Sequence, residues 1–462
     1  MFERYHIPIK VVPGRAPPVP KFVISRATNC INCGKCEKAC IYGVHKRNEQ
    51  DPRKMDDPIN HLCKNCFRCV ADCPQRALTM AAGEEYRSLG RGVWTSLRLA
   101  TMWSESETGK IPVFGAGYRG MFAGPNYDGM WTDMSEIVRP TRDGIHGREV
   151  ISTSVDIGRK VLSLEFDQSN ALRSDVPPLI DLPVPVVFDV TRLRSSNENL
   201  IIGCARAADH LGSLLFVHPE KVPSEVMAQA GSHIVPVYPV GTELDSIEIP
   251  LGTRMIEIEA GSSWKDDVKN FNKWFPGVVL ALRVKAGKGV EDTVLDMVRS
   301  KVAVAHVDYD DQGSEEGQGD TRHAMESLRA IHKAMVSKGV RDRITVIAGG
   351  GIAAAEHVPK TIISGADAVV LESALEAALE CRNCVTCSLG SCPVSLMGAA
   401  PDWIEGRVTN LVGAWRDQML EILGAMGIRE VRRLRGEVGR AIYFDDLERD
   451  LLAALEGGAK NG

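Results

Sequence analysis

The sequence predicts an α/β protein: a (β/α)8 barrel that follows a cysteine-rich leading domain and precedes a helical C-terminal extension. Three observations carry this prediction. Eight short apolar, β-branched runs alternate with amphipathic stretches between residues 182 and 372, eight of the thirteen cysteines fall in the first 90 residues, and the period from residue 402 onward is helical. Strand alternating with helix implies a parallel sheet with covering helices. The runs are 184–190, 213–217, 233–238, 255–259, 278–284, 302–308, 344–348 and 368–371. Eight strands in about 200 residues suit a closed barrel, with the doubly wound open sheet as the alternative. The expected organisation is 1–90 for the cysteine-rich domain, 91–180 for an irregular lead-in that wraps the barrel, 181–400 for the barrel and 401–462 for the extension. Trp94, Trp103 and Trp131 argue against reading the lead-in as a disordered linker.

The leading cysteines form two runs. Cys30, Cys33, Cys36 and Cys40 are spaced C-x2-C-x2-C-x3-C, and Cys63, Cys66, Cys69 and Cys73 repeat the pattern before Pro74. Four thiolates at this pitch suit a cuboidal iron-sulfur cluster, and in two-cluster ferredoxins the fourth cysteine of each run ligates the other cluster. The spacing therefore assigns Cys30, Cys33, Cys36 and Cys73 to one [4Fe-4S] cluster and Cys63, Cys66, Cys69 and Cys40 to the second. Structural zinc is the alternative use of C-x2-C pairs. The runs contain no histidine and pack four ligands each, which favours the ferredoxin-like reading.

A secreted disulfide scaffold does not fit 462 residues that are mostly free of cysteine. The net charge of −5 implies neither a nucleic-acid partner nor an anionic membrane surface. No stretch of eighteen apolar residues occurs, and the first ten residues lack an apolar targeting core. A cytoplasmic protein without membrane insertion is expected.

The seventh run leads into Ala348-Gly349-Gly350-Gly351-Ile352, and the eighth ends at Glu372-Ser373. In barrels the loops after strands seven and eight often build a phosphate site, where glycines let backbone N–H groups approach an anion. FMN is the ligand expected at Gly349, Gly350, Gly351, Glu372 and Ser373, because clusters deliver single electrons and a flavin turns them into two-electron chemistry. Arg283, at the end of strand five, is the candidate to hold the flavin's pyrimidine edge, with Lys285 and Lys288 competing and a strand-end salt bridge as the plain reading. After strand eight comes Cys381-Arg-Asn-Cys384-Val-Thr-Cys387-Ser-Leu-Gly-Ser-Cys392-Pro393, a third ligand set. His306 reads as a core histidine, Cys204 as a small buried hydrophobe, and Asp308, Glu315 and Glu316 as part of a solvated acidic loop.

Taken together, these segments resemble the synthase region of glutamate synthase in its short archaeal-type arrangement. The likeness is carried by the paired cysteine runs, by Ser135-Glu-Ile-Val-Arg-Pro-Thr-Arg-Asp-Gly-Ile-His-Gly-Arg-Glu149, by the glycine turn, by Cys381 to Pro393, and by Gly424-Ala-Met-Gly-Ile-Arg-Glu-Val-Arg-Arg-Leu-Arg-Gly436. The resemblance implies an FMN barrel with a third cluster. Cys381, Cys387 and Cys392 match the family's [3Fe-4S] triplet, and Cys384 supplies a fourth thiolate that points to [4Fe-4S]. It also implies reductive formation of glutamate from 2-oxoglutarate and ammonia.

Three loops depart from the family pattern: Asp189-Val-Thr-Arg-Leu-Arg194, Gly261-Ser-Ser-Trp-Lys265-Asp-Asp267, and Asp308-Tyr-Asp-Asp-Gln-Gly-Ser-Glu-Glu-Gly-Gln-Gly319. The alternative is therefore a non-catalytic electron-transfer subunit with an eroded substrate site. The sequence shows no amidotransferase nucleophile and no nicotinamide fingerprint. Redox partner subunits or ferredoxin, and separate amidotransferase or NAD(P)H-oxidising chains, are the partners expected.

Overall fold

The computed structural model describes residues 5–112, 124–132, 151–161, 163–173, 176–194, 196–243, 247, 249–317, 321–384, 392, 394–437, 439 and 441–458. The chain divides into two compact units. One comprises 14–100 with 382–394, and the other comprises 1–13, 101–381 and 395–462.

The larger unit is built on a closed barrel of eight parallel strands. In chain order they are Val186–Asp189, Leu215–Val217, Ile234–Tyr238, Met255–Glu259, Val279–Lys285, Val304–Asp308, Thr345–Gly349 and Ala368–Leu371. Each lies within a residue or two of an expected run. Side chains alternate between the two faces of a strand. Ile256, Ile258, Leu280, Leu282, Ala305, Val307, Val346 and Ala348 pack with Val268, Phe271, Val294, Leu328 and Ile331 of the covering helices. The opposite face turns the intervening residues toward the barrel axis.

The helix after strand one, Glu198–Leu211, is capped by Asn197, whose side chain accepts from the Leu200 N–H, and ends at Gly212 in the left-handed region. It packs against the long helix Pro401–Ala425. Gly203 permits that approach, since a Cβ there would lie 2.5 Å from Ile404 Cβ. The extension is thus not a solvated appendage. Arg407 is fully buried and donates to the carbonyls of Ala378, Val12 and Trp103. The basic stretch beyond it, Arg429, Arg432, Arg433, Arg435 and Arg440, reads from its composition as a solvated helix face or a docking surface, and Arg429, Arg432 and Arg433 are indeed exposed. Arg435 pairs with Asp367, just before strand eight, and with Asp342, while Arg432 pairs with Asp156. Arg440 lies outside the described residues.

Within the same unit Glu105 is buried and accepts from Trp415 Nε1 at 2.9 Å and Gln418 Nε2 at 2.6 Å. Burial outweighs these donors and pushes its carboxyl up to about 7. A carboxyl with a raised folded-state pKa binds more protons folded than unfolded. Its contribution is therefore fully present below about pH 4.5 and lost as pH rises through 7. Glu105→Gln is expected to flatten this slope and to stabilise the chain above pH 7 by about 2 kcal/mol, read from urea melts at pH 5 and 8.

The smaller unit holds a two-stranded antiparallel sheet, Phe22–Arg26 with Leu78–Ala82. Two short helices, Lys35–Ala39 and Arg68–Ala71, each carry a cysteine of a run. Its apolar centre is small: Ile24, Val44, Cys69 and Leu78, with Cys36, Cys40, Cys63 and Cys73 packed against them. Among the described residues no helix is long and apolar enough to cross a membrane.

Candidate functional site

The barrel closes around a network of charges. Arg283, on strand five, is 3% exposed. Its Nε donates to Glu257 at 2.6 Å, Nη2 to Asp189 at 2.5 Å and Nη1 to Thr191 at 3.1 Å. His306, on strand six, places Nδ1 2.6 Å from Glu257, and its ring lies 5.7 Å from that of Phe216. The sequence offers Arg283 either as a strand-end salt bridge or as a free charge for a flavin. In the structure it is the centre of a buried ionic set, its charge already met by two carboxylates. Burial alone would raise Asp189, but Arg283 and then His306 hold it below the usual carboxylate range.

Nearer the rim stand Asp308 and Glu372. Asp308 is fully buried and forms an ion pair with Arg192 but accepts no well-shaped hydrogen bond. Burial raises Asp308, and it raises Glu372 well above the usual range, helped by the charges of Asp189 and Asp308. Buried Glu372 Oε1 and His306 Nε2 have no hydrogen-bond partner among the described residues. A Cβ on Gly349 would lie 3.1 Å from that Glu372 oxygen and 3.4 Å from that His306 nitrogen, so both atoms crowd the glycine's missing side chain. The set can hold a proton between carboxyls. It gathers Asp189, Glu257, Asp308 and Glu372 around two arginines, Arg192 and Arg283, that are already paired.

The glycine turn follows directly. Gly350 and Gly351 take φ of 97° and 67°. A Cβ on Gly350 would lie 2.5 Å from the Asp310 carbonyl, and one on Gly351 2.6 Å from Gly313 N. The loop after strand six therefore rests on the turn, which accounts for glycine at both positions. Packing does not account for the donors. Among the described residues no hydrogen bond satisfies the buried N–H groups of Gly350, Gly351 and Ile352. A row of such donors is the chemistry of an anion cradle. His357 Nδ1 lies 3.2 Å from Ala353 N and braces the turn from the following helix. Glu372 stands at the N-cap position of the helix Ser373–Ala378 without a side-chain capping bond.

The acidic loop is only partly solvated. Glu316 is exposed and pairs with Lys285 at 2.8 Å. Glu315 is buried, gripped by Arg322 at 2.6 Å and by Ser327 at 2.7 Å, and these bonds overcome its burial and lower its pKa. Cys204 is buried as expected, its thiol pushed up to about 12.

In the smaller unit the thiols fall into two sets. Burial pushes Cys69 up to about 11, and the next contributions come from Cys40, Cys63 and Cys66. Burial likewise raises Cys36, with a smaller contribution from Cys30. Cys40 thus lies near cysteines of the second run, although it belongs in sequence to the first. Ala77 N donates to Cys73 Sγ at 3.3 Å, the kind of N–H···S bond that tunes a cluster. Among the described residues no three His, Cys, Asp or Glu side chains converge as a single metal ion requires. In the third set Cys381 ends one unit and Cys384 and Cys392 belong to the other. Cys387 and the resemblance segment 135–149 lie outside the described residues. Within the smaller unit Arg382 pairs with Glu85 at 2.5 Å, and its carbonyl accepts from Gly90 N.

Residues 283–429 match the family described as the conserved region in glutamate synthase. The chain is 26% identical over 505 residues to an archaeal-type glutamate synthase (NADPH) of Thermotoga maritima, covering 95% of this chain and 98% of that protein. Over nearly its whole length the chain is thus similar to archaeal-type glutamate synthases. The Archaeoglobus fulgidus archaeal glutamate synthase (NADPH) is 24% identical over 95% of this chain and 98% of its own length. A ferredoxin of Pyrobaculum islandicum matches 12% of the chain at 38% identity, over 47% of the ferredoxin. Among solved structures a flavocytochrome b2 variant superposes with a TM-score of 0.42 at 14% identity, over 67% of this chain and 80% of that one, too loosely to bear on the site. In this chain the barrel carries a charged interior.

That interior is what sequence reasoning misses. The signal was present, because Asp189, Glu257, Arg283 and His306 each interrupt an apolar strand. Their mutual contact was not legible, since the Asp189–Arg283 pair spans 94 positions.

Proposed function

We propose that this glutamate synthase relative is an iron-sulfur flavoprotein oxidoreductase. In this reading Cys30, Cys33, Cys36 and Cys73, then Cys63, Cys66, Cys69 and Cys40, hold two [4Fe-4S] clusters. Cys381, Cys384, Cys387 and Cys392 hold a third cluster, [4Fe-4S] or [3Fe-4S]. FMN, when bound, would supply the exchange between one-electron delivery and two-electron reduction. The single observation that supports its site is the row of unsatisfied N–H groups at Gly350, Gly351 and Ile352, which suits the phosphate. Ser373 opens the neighbouring helix, and Glu372 stands before it at the mouth with its carboxyl held toward the protonated form by burial. Arg283 contributes indirectly, as the fixed countercharge to Asp189 and Glu257.

For chemistry the proposal is reductive formation of glutamate from 2-oxoglutarate and ammonia, with Asp308 and Glu372 holding protons at the rim. A second reading is an electron-transfer subunit with an eroded substrate site. It is favoured by the excess of carboxylates where a dicarboxylate would have to sit.

Acid precipitation of the purified protein is expected to release FMN into the supernatant. Gly351→Ala, which adds a Cβ against the Gly313 backbone at positive φ, is expected to lower that content severalfold. A flavin-free supernatant from iron-loaded protein would remove the flavin from the proposal. Supplying 2-oxoglutarate, ammonia and a low-potential reductant then separates the two readings, because glutamate forms only in the first.

A further inference from the structure

Of the eight leading cysteines, Cys33 and Cys66 are exposed. Left-handed residues flank both, Asn32 and Gly34 around Cys33, but only Cys66 is followed by an aromatic residue. Phe67 is 51% exposed and held at φ 60°, and Asn65 on the other side also sits at φ 60°. A left-handed backbone is costly for an aromatic residue and is kept where the surroundings impose it. Ile41, next in the chain to Cys40, is 82% exposed. Cys40 and Cys63 pack against the apolar cluster that holds Cys69, and Cys66 lies between Cys63 and Cys69 in the chain, so Ile41, Lys64 and Phe67 are chain neighbours of one proposed ligand set.

Charge separates the two units. Residues 14–100 carry fifteen Lys and Arg against eight Asp and Glu, and Arg382 adds one more positive charge. The chain as a whole is at −5, so the barrel unit is acidic and the cysteine-rich unit basic. Thiolate-ligated clusters subtract part of the excess, about two charges per cube, and leave the unit positive. Lys64 is exposed, and among the described residues no carboxylate pairs with it. Arg68 is exposed and shares only a 3.6 Å surface pair with Asp72, which a partner's carboxylate can replace at little cost.

We propose that the Cys66 edge is the docking face for a small acidic electron-carrier protein, whose carboxylates meet Lys64 and Arg68 while Phe67 and Ile41 exclude water between the redox centres. An apolar centre inside a charged rim is the anatomy of a transient interface, and a basic field speeds encounter with an acidic carrier. The inference rests on the cluster reading above.

The test is surface plasmon resonance of the anaerobically purified full-length chain against an acidic two-cluster ferredoxin, with a basic cytochrome c and a short single-stranded oligonucleotide as controls. Binding of the ferredoxin is expected to weaken about tenfold between low and physiological salt, and a further tenfold or more in Lys64→Glu combined with Phe67→Ala. Iron content should be unchanged in that variant. The cytochrome should not bind. Unchanged affinity in the variant, or equal affinity for the cytochrome or the oligonucleotide, overturns the docking face. Iron-loaded protein that does not bind the ferredoxin removes the docking face alone, whereas protein without iron removes the cluster reading and the docking face together.

Discussion

Cys69→Ser is expected to cost the chain about four irons and to unfold the cysteine-rich unit while the barrel stays folded. Cys69 sits at the centre of the smaller unit's apolar cluster, beside Ile24, Val44 and Leu78, with Cys40 and Cys63 packed around it. A two-stranded sheet with so small a core is marginal without a staple. Ligation free energy then becomes folding free energy, and removing one thiolate removes both. Limited proteolysis should cut the variant within 14–100 and spare the barrel. Cys40→Ser should lose the same four irons, because Cys40 belongs to the set around Cys69 although it lies in the other run. A Cys69 variant that keeps its full iron would contradict the assignment.

Arg283→Met is the second large effect. It leaves Asp189 and Glu257, both fully buried, without the guanidinium that joins them. Breaking a buried pair from one side typically costs about 3–5 kcal/mol, because the surviving charge is left uncompensated. Asp189 is held low mainly by this arginine, so its carboxyl rises in the variant and the penalty is largest at high pH, where the carboxyl must still ionise. Urea melts at pH 5 and pH 8 read both the loss and its direction. The double change Arg283→Met with Asp189→Asn should recover part of the stability, since it removes one of the two stranded charges. If the single variant is as stable as the parent, the network is not the keystone of the barrel's mouth.

The barrel was legible because its signal is local. Each strand is a short β-branched run bounded by turn residues, and the eight runs in order admit few topologies. The cysteine-rich unit was legible for the same reason, since its two runs are local in sequence. What stayed hidden depends on closure. Glu372 meets Gly349 and His306 only because strand eight pairs with strand seven and strand six with seven. Arg435 reads as one basic residue among several until Asp367 and Asp342 are brought beside it. Arg407 lies in the core because three carbonyls from distant segments converge on it, which no local pattern signals. The glycine turn was read from its place after strand seven. Its glycines turn out to be needed for the loop resting on them, and its unsatisfied donors are the part that sequence alone does not reveal.

The most direct test of the whole account is the metal content of the anaerobically purified full-length protein, with iron, acid-labile sulfide and zinc determined on one sample. About eleven or twelve irons with matching sulfide and little zinc are predicted, of which about eight belong to the two leading runs. Stoichiometric zinc without sulfide would contradict the account, leaving the cysteines as structural ties and the barrel without a source of electrons.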